Sequence, residues 1–223
     1  MPRKGALIAG GVLCAALVLA LALGGRPEAS GEPALPPPHA VREPAPSTLP
    51  TASPEAYALV EAALAQVGVT RSYDPSYVPL EYPGGDVPLE TGVCTDVVVR
   101  ALRGVGVDLQ QTVHEDMSAD FRAYPQRWGL TRPDPSIDHR RVPNLQTYLA
   151  RHGMEVAVTS EGRDYLPGDI VTWSVGGRPH IGIVSDRPAR GDRNYEIVHN
   201  IGRGTLVEDV LFRFEITGHY RWR

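Results

Sequence analysis

The chain has 223 residues and a formal net charge of −4, a length that accommodates one domain with a substantial core but not two plus tails. Hydrophobic residues make up 42% and charged residues 22%, an ordinary globular balance, and the lack of a basic excess argues against a nucleic-acid binder. Lysine occurs once, at Lys4, which reads as a genomic preference for arginine rather than a functional signal.

The N-terminus reads as an export segment. Arg3 and Lys4 are followed by an uncharged run rich in Ala and Leu over residues 5–25. Ala20-Leu21-Ala22 supplies a small-residue cleavage site, and the run is also just long enough to span a bilayer uncut. A cleaved signal peptide and a retained inner-membrane anchor in residues 1–25 both fit, and the expected location is the periplasm or cell envelope. Cys14 lies in mid-run after the bulky Leu13, which does not suit a lipidated cysteine. Residues 26–52 hold eight prolines and no Phe, Tyr or Trp. Such a segment cannot bury enough apolar surface to fold and is expected to act as a semi-rigid spacer. The folded domain is expected over residues 53–223.

Ser53 as N-cap and Pro54 at the first helical position predict a helix, with Tyr57, Val60, Leu64 and Val67 on its buried face and Gly68 at its end. Residues 70–90 read as irregular, because Pro75, Pro79, Pro83 and Pro88 forbid a regular helix; Tyr73, Tyr77 and Tyr82 are interleaved among them. A second helix is expected over 92–104. Thr112-x-x-Glu115 is a capping box that opens a third, bearing Val113, Met117, Phe121 and Tyr124. A short helix around 144–152 ends at Gly153. Beyond it, residues 155–160, 169–175, 180–186, 195–201, 205–212 and 216–222 read as strands. Helices first and strands second predict an α+β domain with a largely antiparallel sheet.

With Cys14 in the export segment, the folded part keeps Cys94 alone, so no disulfide forms within it. A lone thiol in an exported protein is either a small buried hydrophobe or a nucleophile. Cys94 lies in Thr91-Gly-Val-Cys-Thr-Asp96, at a helix start, where partial positive charge and free N–H groups favour a thiolate and can hold an oxyanion. Asp96 suits the same helix end, although a carboxylate beside a thiolate opposes its ionisation. His180 opens His180-Ile-Gly-Ile-Val-Ser-Asp186, where alternation puts Gly182 on its face; a glycine there is expected to leave open surface for a substrate. His199, in the next strand, is placed to orient His180 as a third triad member would. Asn200 is the fallback orienter.

In order, Tyr82-Pro-Gly-Gly85, Cys94 at a helix start, Pro167-Gly-Asp-Ile-Val171, His180-Ile-Gly-Ile183 and Val198-His199 resemble the NlpC family of cell-wall cysteine peptidases. That resemblance implies a papain-like fold, a triad of Cys94, His180 and His199, and cleavage of amide bonds in peptidoglycan stem peptides. It also implies a tyrosine lining the site near the nucleophile, for which Tyr82 is favoured and Tyr73 and Tyr77 compete. The chain departs from the family in having Val-Cys-Thr-Asp around the cysteine and a long insert over 108–153. Gly92-Val-Cys-Thr-Asp-Val-Val together with His114-Glu-Asp-Met117 most resembles the DUF1287 branch of that superfamily.

The expected function is therefore amide hydrolysis through a thioester, on peptidoglycan peptides or another envelope amide, by a monomer that needs no cofactor and no metal and meets the membrane only through its N-terminal segment. His114, Glu115 and Asp116 read as a solvated helix start rather than a metal site, Asp169 as a residue that shapes the turn into its strand, and His139, with Asp138, Arg140 and Arg141, as a charged loop that either lines the groove or needs no function. The alternatives on the same fold are a non-catalytic cell-wall binding module and a cysteine acyltransferase.

Overall fold

Ser53 starts the first helix as its sequence predicts: its hydroxyl accepts from the Ala56 N–H at 3.2 Å, and Pro54 occupies the first turn of α1 (Pro54–Leu64). The computed structural model describes residues 49–222; the segment read as an export signal or anchor, and the stretch read as spacer as far as residue 48, lie outside the described residues. The buried face of α1 is Ala56, Leu59, Val60 and Ala63, rotated from the expected stripe, and Val67 is exposed. The reason is close packing on α2 (Cys94–Gly104): a Cβ at Gly104 would lie 2.9 Å from the Ala62 side chain. Small residues must therefore face that helix.

Between these helices the irregular segment contributes two short strands, β1 (Ser72–Tyr73) and β2 (Thr91–Gly92). They pair in parallel, with Tyr73 opposite Gly92. Two residues of pairing thus bring Tyr73 to the approach of Cys94. The next helix, α3 (Leu109–Ala119), begins three residues before the expected capping box. The cap is Asp108, which accepts from Gln110 N–H and also from Arg103 and Gly84. A carboxylate that gathers three donors displaces Thr112 into the first turn. The fourth helix, α4 (Val142–Arg151), follows with Pro143 in its first turn.

Five strands form the main sheet: β3 (Ile170–Val175), β4 (Arg178–Pro188), β5 (Tyr195–Asn200), β6 (Thr205–Glu208) and β7 (Glu215–Tyr220). Their order is β6-β5-β4-β3-β7 and every pair is antiparallel, so the fold is α+β. Gly176 and Gly177, both at positive φ, make the two-residue turn between β3 and β4, a conformation that L-residues with a Cβ resist. The strand expected at 155–160 is absent. Glu155 forms a single bridge to Tyr220, after which Thr159 N–H turns to the Tyr165 hydroxyl at 3.2 Å. The strand expected to reach residue 212 stops at Glu208, because Leu211 turns inward and its carbonyl accepts from the Trp173 indole at 2.8 Å.

Both faces of the sheet are covered. Ile170, Ile181, Ile183 and Val198 pack against Leu59, Val98, Leu102, Leu145 and Leu149 of the helices. On the other face Val171, Trp173, Val184 and Ile197 pack against Tyr165, Val210, Leu211 and Leu49. Leu49 belongs to the segment read as spacer, yet it is buried, and the neighbouring Pro50 carbonyl accepts from the Tyr195 hydroxyl at 3.0 Å. One leucine among prolines is enough to dock the segment, since burying it contributes about 1.5–3 kcal/mol.

Candidate active site

Cys94 is the first residue of α2, reached through β2 and the extended Val93. Asp96 accepts from the Val93 N–H at 2.6 Å and so closes the helix start. The same carboxylate takes both Nε and Nη2 of Arg140 at 2.9 Å, and both partners are buried. The reading of Asp96 as a helix-end residue agrees with this geometry; Arg140, read only as part of a charged loop beside the groove, is its buried partner. Burial pushes the Cys94 thiol up to about 11. The Ile181 and Thr95 backbone N–H groups and the Tyr73 hydroxyl lean the other way, and Asp96 adds to the rise. Tyr73 is itself held at about 12, by burial first and by Cys94 second, so its hydroxyl is a donor throughout the neutral range.

The thiol thus lies against the backbone of Ile181, the residue after His180. His180 points its ring at the next strand, where its Nε2 lies 2.8 Å from His199 Nδ1. Gly182 makes this possible. Ile183 pairs with Val198, which sets Gly182 opposite His199, and a Cβ on Gly182 would stand 3.0 Å from His199 Cβ and 2.8 Å from the Ile197 side chain. The space expected to be open for a substrate is filled by the second imidazole.

Beyond His199 stands a residue the sequence did not single out. Glu208 Oε2 lies 3.1 Å from His199 Nε2. A carboxylate only accepts, so Nε2 of a neutral His199 carries the proton and its Nδ1 is an acceptor. His180 must then donate from Nε2, which leaves its Nδ1 lone pair unprotonated. That nitrogen has no hydrogen-bond partner among the described residues. Burial, and then the neighbouring His199, pull His180 down to about 3. Burial also lowers His199, against the pull of Glu208.

Cys94 and His180 open onto adjoining cavities that share Tyr73 and Pro179. The first is about 340 Å³ and is lined by Cys94, Trp128 and three arginines; the second is about 480 Å³ and is lined by His180, Arg178 and Ile201. Of the three tyrosines, Tyr73 stands at the site. Tyr77 is exposed and donates to Asp134 at 3.2 Å. Tyr82, the favoured residue, stacks edge-on against His114 at 4.9 Å and lines neither cavity. Chain proximity to Cys94 misled, because the β1–β2 pairing reaches back past both. Asn200 does not reach His180. Its Nδ2 donates to the carbonyls of Gly92 at 3.0 Å and Ser72 at 3.2 Å, so it fixes the approach to Cys94 from the opposite face of β5.

Of the remaining polar residues, Asp169 and Asp116 have structural partners, while His114 and His139 each bury an Nδ1 without a hydrogen bond. Asp169 shapes its turn by accepting from Leu166 N–H and also binds His219 and Arg221. His139 is buried rather than in an open loop, and burial holds it at about 4. Asp116 pairs with Arg151. Among the described residues no three His, Cys, Asp or Glu side chains converge on a metal position.

The fold and the site together define an α+β domain in which a helix-start cysteine and a strand-borne histidine, hydrogen-bonded to a second imidazole behind it, line adjoining cavities. The chain belongs to the DUF1287 family, a domain of unknown function whose model matches residues 60–222. The Uncharacterized protein YijF of Escherichia coli (strain K12) is 54% identical over 166 residues, 74% of this chain and 80% of that protein. The solved structure of NlpC1 from Trichomonas vaginalis aligns with a TM-score of 0.41 at 11% identity, over 79% of this chain and 46% of that one. This chain therefore spans less than half of that structure's length.

Proposed function

We propose that this protein is an exported cysteine hydrolase that cleaves amide bonds in peptidoglycan stem peptides, with Cys94 as nucleophile, His180 as base and acid, and His199 as its orienter. One observation supports this above the others: the relay from His180 through His199 to Glu208, beside a thiol at a helix start. A packing cysteine would need no such arrangement. The N-terminal export segment and the family resemblance point to the cell wall.

Cys94 Sγ attacks the carbonyl carbon while its proton passes to His180 Nδ1. The first-turn N–H groups of α2 and the Tyr73 hydroxyl face the oxyanion. His180 returns the proton to the leaving amine as the C–N bond breaks, and a thioester remains. Water, deprotonated by His180, attacks the thioester carbon, and the departing Cys94 sulfur takes back the proton. With the thiol near 11 and His180 near 3, the resting pair is uncharged. Proton transfer therefore accompanies attack instead of preceding it.

The test is digestion of purified muropeptides with mass spectrometry of the products. New amine and carboxylate ends are expected from the wild type and none from folded Cys94→Ala. His180→Ala should be nearly as inactive, since a positioned base contributes roughly 10²–10⁴-fold. Full activity in folded Cys94→Ala would remove the assignment.

A further inference from the structure

The chain is acidic overall, at −4, yet its two adjoining cavities contain Arg127, Arg140, Arg141 and Arg178 and not one Asp or Glu. Around Cys94 the three arginines differ in what neutralises them. Arg140 is spent on Asp96, bound through two nitrogens and sealed from solvent. Arg141 reaches Asp138 with one nitrogen at 3.2 Å and lies 4.1 Å over the Trp128 ring. Burial pulls its pKa down by more than Asp138 and Asp134 restore, so its charge is under-compensated where it stands. Arg127 is exposed and has no ion pair among the described residues. The Trp128 ring thus backs the Arg141 guanidinium, and a guanidinium presents a planar fork suited to a carboxylate.

We propose that the cavity beside Cys94 is an anion subsite, in which Arg127 and Arg141 receive a carboxylate carried by the substrate close to the bond that is cut. This rests on the reading of Cys94 as the nucleophile and narrows its substrate to amides that bear a free carboxylate. The insert between the cysteine helix and the sheet supplies both arginines and Trp128, so the feature that separates this chain from the general cysteine-peptidase pattern is also the one that selects charge. Arg178, which has no ion pair among the described residues, extends the same sign of potential to the His180 side.

The probe is a pair of alkylating agents of nearly equal size, iodoacetate and iodoacetamide, applied to the full chain. Modification is followed at Cys94 by peptide mass mapping, because Cys14 is present too. The ratio of the iodoacetate to the iodoacetamide rate is expected to exceed that of free cysteine by about tenfold at low salt and to fall as salt screens the field. Arg127→Ala should lower the iodoacetate rate by roughly threefold or more and leave the iodoacetamide rate alone, and Arg127→Lys should restore most of it. A ratio equal to that of free cysteine overturns the anion subsite. If neither reagent modifies Cys94 even at about pH 10, where its thiolate becomes appreciable, the nucleophile assignment fails. The subsite is then judged on folded Cys94→Ala by calorimetric binding of acetyl-alanyl-alanine and of its C-terminal amide. Tighter binding of the acid, lost in Arg127→Ala, sustains the subsite, and equal binding of the two overturns it.

Discussion

Glu208 Oε2 sits 3.1 Å from His199 Nε2. Strand register puts it there: Ile197 pairs with Glu208 and His199 with Leu206, so Glu208 lies diagonal to His199 on one face of the sheet. The carboxylate determines which nitrogen of each imidazole carries a proton, and through His199 it leaves His180 Nδ1 free to act.

Glu208→Gln tests this. A glutamine amide can donate to His199 Nε2 and reverse the tautomers, which would protonate His180 Nδ1. The expected result is a loss of about 10–100-fold in kcat/KM on muropeptides, smaller than removing His180 itself, because a correctly protonated fraction survives. A residue that merely braced the fold would lower the melting temperature and leave the pH profile of the survivor unchanged. Here the acid limb of the profile should move while the melting temperature holds. Unaltered kcat/KM would show that the carboxylate has no part in orienting the pair.

Alkylation of Cys94 should depend on pH in a particular sense. Burial raises the thiol to about 11 and lowers His180 to about 3. At neutral pH the free protein therefore holds a thiol beside a neutral imidazole, and thiolate accumulates only as pH rises toward 11. The iodoacetamide rate at Cys94 should climb steadily through pH 8, 9 and 10. A plateau already reached near pH 5 would reveal a preformed thiolate–imidazolium pair and contradict the concerted proton transfer proposed above.

Gly182→Ala should damage site and sheet together. The added Cβ meets Ile197 Cγ2 at 2.8 Å, the Val198 carbonyl at 2.9 Å and His199 Cβ at 3.0 Å. Two of these are not flexible side-chain ends, so β5 must move. Overpacking of this kind costs about 1–3 kcal/mol, and the movement opens the imidazole contact. A denaturant melt and a muropeptide assay on the same preparation should fall together. Wild-type activity would mean the strands have more slack than their spacing implies.

A chain truncated to begin at Ser53 should be less stable than one beginning at Thr48. It loses Leu49 from the second core and the Pro50 carbonyl that the Tyr195 hydroxyl uses. The expected difference is about 2–4 kcal/mol in urea unfolding, from the side-chain burial and one hydrogen bond. Indistinguishable midpoints would show that the docked segment contributes nothing.

Much of this site could be read in advance because its chemistry is local. Cys94 follows a Thr-Gly-Val segment and precedes a clear apolar helix, and His180 and His199 stand in alternating runs whose strands formed. What stayed hidden depends on pairings between distant segments. Glu208 becomes visible only when β6 is laid beside β5 in register, and its four-residue strand carries no motif. Tyr73 was outranked by Tyr82, because two residues of parallel pairing leave no periodic trace in a proline-rich stretch. Asp108 took the cap that Thr112-x-x-Glu115 advertised, since the choice turned on Arg103 and the Gly84 N–H. The charged run at 138–141 offered Arg140 and Arg141 as groove residues, and both line the cavity, but nothing marked Arg127 and Trp128 for the same wall.

Asn200 gives β5 two duties. On one face the strand presents His199 to His180; on the other, one residue along, the buried amide holds the carbonyls of Ser72 and Gly92. The segment leading into Cys94 and the strand that carries His199 are thus fastened to one another. On the proposed mechanism, a shift of β5 would then carry the approach to Cys94 and the His199 ring together. If Cys94 and His180 react as proposed, coupling of that kind would lower the cost of assembling them before each turnover. It also means that a substitution at Asn200, which touches neither sulfur nor imidazole, would be felt as a loss of alignment between them.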